Sequence, residues 1–407
     1  MPNMTEPDVT QLLTVRQAIH VIDSVQVHPR VIQIDLNEAD GLVLAEDLIA
    51  DRDYPPFDKS QMDGFAVKAA TASDLKVVGE VAAGQWPDLE VKEGEAIAVM
   101  TGAPMPRGAD AVVPVEDVEH LKSEISDTRS IRVTRAPVAG RYIAKRGSDI
   151  KAAIVVLSRG SRLGPAPLAV AASVGAARIK VFAKPRIAVL ATGDELVTVA
   201  QTPGPAQIRN SNNLLLVSLA RRMGCDVIDL GIVRDEPDKI RRAIENALAA
   251  DVLMVTGGMS MGEYDYVPRI LLELGVAFRI TRLRIKPGKP FVFGVKEPSK
   301  YIFGLPGNPV SSFVCAVRLA SRLIDRLSGA PVQEKLLQAR LAEPLPPNGP
   351  REFYQPAIVR DGMVKVLGWK GSADLYTLAQ ANALLVRQEL EPARNAGDVV
   401  NLLEVPR

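Results

Sequence analysis

Three rhythms of apolar and polar residues follow one another along the chain. Residues 14–25 carry a helical one: Val15, Ala18, Ile19 and Ile22 share a face, and Thr14 with Gln17 forms a capping box. The turn-rich stretch Asp53-Tyr-Pro-Pro-Phe-Asp marks a boundary. From there to about Asp149, short Val/Ile runs at 75–78, 96–100 and 131–133 alternate with Gly and Pro turns, which predicts short strands. Further strands are predicted at 154–157 and 179–182, with a short helix at 165–174 ended by Gly175.

The pattern changes at Lys184. A buried strand at 186–191 runs into Thr192-Gly-Asp-Glu, and a helix at 214–223 and a strand at 227–230 follow. Residues 237–249 form an amphipathic helix with Ile240, Ala243, Ile244, Ala247 and Leu248 on one face. Apolar strands at 252–256 and 301–305 end in Gly257-Gly258 and in Pro306-Gly-Asn-Pro. A long helix then turns Val310, Phe313, Val314, Val317, Ile324 and Leu327 inward, and Gly329 stops it. Such alternation predicts a parallel sheet covered on both faces, with its ligands at the carboxyl ends of the strands. All three Gly- or Pro-rich turns fall there. After Ala330, strand-like runs at 337–341, 353–359, 364–367, 383–386 and 399–405 predict a small all-β domain.

Composition narrows the function classes. At 407 residues the chain needs two to four domains, and 47% hydrophobic with 24% charged residues is ordinary for a soluble protein. A net charge of +1 gives no reason to expect nucleic acid or an anionic membrane. The polar, Pro-containing residues 1–11 lack the apolar core of a signal peptide, and no apolar run spans a bilayer, so a cytoplasmic protein is expected. Two distant cysteines, Cys225 and Cys315, argue against a disulfide framework or a Cys-based zinc site. The three histidines, His20, His28 and His120, read as surface or boundary residues. Chemistry is therefore expected from carboxylates, lysines and a hard metal ion. P-loop, dinucleotide-fingerprint and nucleophile-elbow motifs are absent.

The candidate site lies in the loops. In Thr256-Gly-Gly-Met-Ser-Met-Gly-Glu-Tyr-Asp265, Gly257, Gly258 and Gly262 allow close backbone approach. Ser260 and exposed N–H groups suit a phosphate, and Asp265 could hold a cation over it. The turn from Pro306 to Pro309 leads into a helix, with Asn308 as a cap and Ser311 in the first turn. Asp194 and Glu195 are adjacent acids past a strand; either could bind a metal, and a helix-capping role for Asp194 is evenly matched. For Asp235, before Pro237, the capping role is ahead. Lys286-Pro-Gly-Lys289-Pro holds two lysines at a rigid bend, suited to an oxyanion, although an isolated Lys pair is more often a solvated loop. The segments around Asp63 and Thr101 read, by themselves, as loop punctuation.

Taken in order, Met62-Asp-Gly-Phe-Ala, Thr101-Gly-Ala-Pro-Met-Pro-Arg-Gly-Ala-Asp, Ala191-Thr-Gly-Asp-Glu-Leu, the 256–265 decapeptide, Lys286-Pro-Gly-Lys-Pro and Leu305-Pro-Gly-Asn-Pro-Val-Ser resemble the MoeA-type molybdopterin molybdenumtransferase family, related to the E domain of gephyrin. The resemblance covers nearly the whole chain. It implies a multidomain α/β-plus-β fold: an N-terminal helix (10–29) on an α/β domain of the molybdopterin adenylyltransferase type (184–330), a linking α+β domain (30–50 and 150–183), a β-rich insertion domain (51–149) and a C-terminal β-barrel (331–407). It also implies a homodimer, and a Mg²⁺-assisted reaction in which adenylated molybdopterin and molybdate give molybdenum cofactor and AMP. The alternatives are a molybdopterin adenylyltransferase and a non-enzymatic scaffold of the gephyrin type. A separate molybdopterin adenylyltransferase is a candidate partner. By the same resemblance, Asp63, Thr101, Asp149, Glu195, Asp235 and Asp265 are the functional acids and polar residues, with Glu195, Asp235 and Asp265 as candidate metal ligands. Lys286, Lys289, Ser311, Arg351 and Ser372 are the anion-binding set, and Pro306 and Pro309 the turn prolines. Phe65 stands where the family commonly has Tyr, and Ser148 where an acid is common.

Overall fold

The computed structural model describes residues 12–70, 73–121, 129–259, 265–332, 334 and 336–406. The chain divides into two compact units. One comprises the described residues of Met1–Ala45, Gly160–Gly164 and Ile179–Arg407, the other those of Glu46–Arg159 and Pro165–Arg178.

The larger unit is built on a six-stranded sheet, in the order Asp226–Val233, Arg186–Thr192, Val252–Thr256, Lys300–Leu305, Val292–Lys296, Ala277–Ile280. The first four strands are parallel; of the last two, both unread in the sequence, Val292–Lys296 runs against them and Ala277–Ile280 is antiparallel to Val292–Lys296. Strand residues alternate between two cores. Ile187, Val189, Val252, Met254 and Phe303 face one core, under the helices Asn212–Arg222 and Pro309–Cys315. Ala188, Leu190, Leu253, Val255 and Ile302 face the other, under Pro237–Ala247 and Tyr266–Glu273. The long C-terminal helix has a π-helical stretch, Ala316–Ala320, between Pro309–Cys315 and Ser321–Leu327.

The capping box at Thr14 forms, and the helix Val15–Ser24 buries Val15, Ala18 and Ile22 in the first of these cores. Arg326 donates to the carbonyls of Ile22 and Val25 at 2.8 and 2.6 Å, closing the end of that helix, while Arg322 pairs with Asp23 at 2.6 Å.

After Ala330 five strands close into a barrel. Glu352–Arg360, Met363–Val366, Leu336–Leu341, Val399–Glu404 and Ala383–Arg387 pair in sequence around it, and the last pairs back to the first. Ala357, Val364, Leu385 and Leu402 fill it. A helix, Leu375–Gln380, interrupts what the sequence reads as purely β. The short strand Ile285–Lys286 of the α/β portion pairs in parallel with Glu352 and Phe353. A backbone ladder thereby joins the basic bend to the barrel.

The smaller unit carries a six-stranded sheet in the order Ala111–Pro114, Gly64–Val67, Glu95–Val99, Asp74–Val81, Ser130–Val133, Val118–Leu121. Its two faces are both covered: Ala66, Ile97 and Val112 on one side, Phe65, Val67, Leu75 and Ile131 on the other. The strands Leu48–Ile49 and Val155–Leu157 pair beside it, with the helix Pro165–Ser173. Among the described residues no helix is long and apolar enough to cross a membrane. His20, His28 and His120 are exposed. Both cysteines are buried and free, and burial pushes the Cys225 thiol up to about 12 and the Cys315 thiol up as well.

Candidate functional site

Two groups of predicted residues meet at the carboxyl edge of the parallel strands. The first is acidic. Thr192 and Thr256 end neighbouring strands, and Gly257, at φ +82°, passes so close that a Cβ there would stand 2.1 Å from the Thr192 carbonyl oxygen. Thr192 Oγ1 is buried without a hydrogen-bond partner among the described residues. Ser260 and Gly262 lie outside the described residues.

Past these strand ends the acids come together. Asp194 leads into the short strand Leu196–Val197, so it caps no helix; its carboxylate accepts the Asp235 amide N–H at 3.3 Å. Asp235 is not the helix cap either. Pro237 occupies the first helical turn and Glu236 the N-cap position, without a side-chain cap bond. Asp265 stands at the N-cap position of Tyr266–Glu273 and makes no cap bond. The carboxyls are thus not used up in capping. Asp235 is pushed above the usual carboxylate range, by partial burial and by the negative charges of Asp194, Glu195 and Asp265. Among the described residues no three acidic, His or Cys side chains stand at spacing that holds a metal ion.

The second group is basic. Lys286, Lys289, Pro306, Ser311, Arg351 and Ser372, all predicted, line one cavity of about 460 Å³. Asn308, Trp369 and Lys370 line it too. Pro309 begins the adjoining helix. Among the described residues Lys289 and Arg351 have no ion-pair partner, and no carboxylate lines the cavity. Lys286 Nζ sits 4.2 Å from the centre of the Phe353 ring, a cation–π contact, and Phe353 packs on Trp369 at 5.8 Å. Converging cations without a counter-charge repel one another, and an anion is the partner that relieves this.

Three local devices hold this wall. The Asn212 side chain donates to the Gly307 carbonyl at 2.7 Å, fixing the Pro306–Pro309 turn. Asn308 occupies the helix N-cap position but does not cap it; its amide nitrogen donates instead to Ser372 Oγ at 2.8 Å. Ser312 Oγ donates to the Pro306 carbonyl, so the turn is closed from within the helix. Gly288, between the lysines, has φ +121°, and a Cβ there would lie 2.6 Å from Cys315 Sγ, which is fully buried. Gly288→Ala should therefore cost about 1–3 kcal/mol of stability and displace Lys289. Urea unfolding checks it, and a wild-type midpoint would contradict the packing argument.

Asp63, Thr101 and Asp149 belong to the smaller unit. Thr101 donates to Asp63 Oδ1 through its amide at 2.6 Å and its hydroxyl at 2.8 Å. These bonds hold the Asp63 carboxyl below its ordinary range. Ser148 donates to Asp149 Oδ1 at 3.0 Å. Sequence reasoning took Asn308 only as a cap and did not assign Trp369, Phe353 or Lys370 to the site, although Phe353 and Lys370 stand two residues from Arg351 and Ser372.

Three family models tile the chain. The MoeA N-terminal region (domain I and II) matches residues 13–175, a probable molybdopterin binding domain 188–326, and the MoeA C-terminal region (domain IV) 338–405. They define the class: an α/β domain of the molybdopterin-binding type with MoeA regions on both sides. A molybdopterin molybdenumtransferase of Nostoc sp. is 33% identical over 391 residues, covering 92% of this chain and 88% of that protein. One of Synechococcus elongatus is 37% identical over 293 residues, covering 69% and 71%. The crystal structure of a molybdopterin biosynthesis MoeA protein from Pyrococcus horikoshii matches at a TM-score of 0.83 and 28% identity, over 97% of this chain and 100% of that one. The chain belongs to the molybdopterin molybdenumtransferase family.

Proposed function

We propose that this protein inserts molybdate into adenylated molybdopterin, giving molybdenum cofactor and AMP. Family membership supports the reaction, and one observation supports the site: a carboxylate-free cavity with Lys286, Lys289, Lys370 and Arg351 on its wall, beside the strand ends. Molybdate is the substrate oxyanion held there by charge and hydrogen bonds. The Gly257-Gly258 loop takes the pterin phosphate. If water attacks the α-phosphorus, the anhydride P–O bond breaks, AMP leaves and molybdopterin keeps its terminal phosphate. If a molybdate oxygen attacks, the adenylyl group passes to molybdate, and AMP leaves when a dithiolene sulfur displaces it from molybdenum. The cations stabilise the charge that develops in this step. The barrel contributes Arg351 and Ser372 to the cavity, and this favours insertion over a bare adenylyltransferase domain.

The oxygen donors Glu195, Asp235 and Asp265 suit a hard cation. Among the described residues they form no preformed cage, so a cation there would be one that arrives with substrate phosphate and keeps much of its water. Magnesium bound there would supply neutralisation of the phosphoanhydride charge. The reading also carries a homodimer, a cytoplasmic location and delivery of substrate by a molybdopterin adenylyltransferase. Light scattering of the purified protein tests the dimer.

The deciding experiment incubates the purified protein with adenylated molybdopterin, Mg²⁺ and molybdate, and measures AMP and metallated cofactor. Molybdate-dependent AMP release is expected. ATP consumption without molybdate would favour the adenylyltransferase instead. In the same assay Asp265→Ala and Lys289→Ala should both fall far below wild type, and near-normal turnover in both would sink the assignment.

Asp235 supplies a second check. Its folded pKa is raised, so its contribution to stability is fully present below the ordinary carboxylate range and is lost as pH rises through the raised value. At neutral pH the ionised acid is therefore a cost, which Mg²⁺ relieves. Thermal unfolding should show Mg²⁺ raising Tm by a few degrees at neutral pH and hardly at all once Asp235 is protonated. Asp235→Asn should stabilise the Mg²⁺-free protein and blunt the response to Mg²⁺. An unchanged Mg²⁺ response in that variant would remove Asp235 from the metal site.

A further inference from the structure

Asn308 stands where a helix cap is expected, and its side chain turns away from the helix. Its amide nitrogen, which can only donate, lies 2.8 Å from Ser372 Oγ. The Val310 amide donates to the Ser372 carbonyl at 3.0 Å and holds that residue's backbone. A serine hydroxyl has one proton and two lone pairs. With a lone pair taken by Asn308, the proton of Ser372 is left to point into the cavity. Lys286, Lys289, Lys370 and Arg351 are donors without acceptor capacity; among the described residues no carboxylate lines the wall, and the acid near Lys370 is Asp374, outside it. Among the side chains on the wall the remaining acceptors, Asn308 Oδ1 and the Ser311 hydroxyl, are neutral and outnumbered by the donors.

We infer that Asn308 is a positioning residue that fixes Ser372 as a donor, and that the cavity so built selects tetrahedral oxyanions carrying no proton and rejects those that carry one. This rests on the reading of the cavity as the molybdate site and adds the basis of its selectivity. At neutral pH molybdate and sulfate are fully deprotonated and present only acceptors. Phosphate keeps at least one P–OH, whose proton would face ammonium, guanidinium and hydroxyl donors. Where docking shields that proton from water, a donor without an acceptor loses its bond to water and gains nothing in return. The same logic lets sites built for one hydrogen-bond pattern reject near-isosteres strongly. Sulfate and phosphate have nearly the same size and shape, so comparing them isolates the proton from the fit.

The test is equilibrium dialysis of the full chain against sodium molybdate at neutral pH and fixed ionic strength, with sulfate or phosphate as competitor. Sulfate should displace molybdate, and phosphate should need on the order of 10- to 100-fold higher concentration to do so. Equal competition by the two would overturn the inference while leaving the molybdate site intact. Failure to retain molybdate at all would instead sink the reading of the cavity.

Asn308→Asp tests the positioning role, because it keeps the shape and offers Ser372 only an acceptor. Its sulfate-to-phosphate preference should shrink by about tenfold or more, and Asn308→Ala, which removes the amide without adding a charge, should shrink it too, which separates positioning from charge repulsion. In turnover, the KM for molybdate should rise while that for adenylated molybdopterin holds. A wild-type ratio in Asn308→Asp would show that Asn308 accepts from Ser372 instead of donating. If that variant fails to fold, Asn308→Ala and the wild-type competition still decide the matter.

Discussion

Replacing Arg351 with alanine should lower kcat/KM for molybdate by about 10²- to 10³-fold, with the KM for adenylated molybdopterin within about twofold of wild type. The guanidinium lines the cavity with no ionic partner among the described residues, so its charge is uncommitted until an oxyanion arrives. Losing it removes an interaction with the oxyanion and disturbs no internal pair, so stability should hardly change. Arg351→Lys keeps the charge but loses the planar fork, and should recover only part of the activity. Initial rates of AMP release against molybdate concentration measure both. Full activity in Arg351→Ala would mean that the oxyanion binds elsewhere.

Arg318→Ala should be the most damaging substitution for stability, by about 3–5 kcal/mol. Arg318 is 9% exposed and leaves the long C-terminal helix to enter the barrel wall. Its Nε donates to the Tyr354 hydroxyl at 2.8 Å and another nitrogen donates to Glu334; Tyr354 in turn donates to Glu352. Burial pushes both Glu352 and Tyr354 up, and the Arg318 charge opposes this. Removing the cation strands a carboxylate and a phenol in the interior. The raised Glu352 pKa means that its contribution is present at low pH and lost as pH rises, so the deficit of the variant should narrow in acid. Urea unfolding at neutral and acidic pH measures this. Adding Tyr354→Phe and Glu352→Gln should recover part of the loss, because phenylalanine needs no partner and a neutral amide costs less to bury than a carboxylate. A deficit below about 1 kcal/mol would mean that solvent reaches the network. Glu352 also precedes Phe353 in the strand that pairs with Lys286, so the network braces the wall of the cavity.

Legibility in the sequence followed the range of the interaction. The capping box at Thr14 and Gln17 is closed by residues three apart, and it forms as read. The central strands announced themselves as apolar runs, since a strand buried on both faces has no polar alternation to hide it. The edge strand Ala277–Ile280 and its neighbour Val292–Lys296 did not. They are short and flank a bend dense in Pro, Gly and Lys. The Asp235 cap was misread although the signal was local: Pro237 sits at the start of the helix, which puts Glu236, not Asp235, at the cap position.

The chain alone therefore determined its periodic elements, the placement of Gly- and Pro-rich turns at strand ends, and, through the order of its motifs, its family. These depend on neighbours a few residues apart. Only the tertiary structure decided that Asn308 turns from its helix to Ser372, 64 residues away, that Lys286 pairs into the barrel, and that no described acid enters the basic cavity. Those outcomes rest on distances between segments that no local pattern encodes. The donor character of the cavity depends on which side chains the fold leaves out as much as on those it brings in.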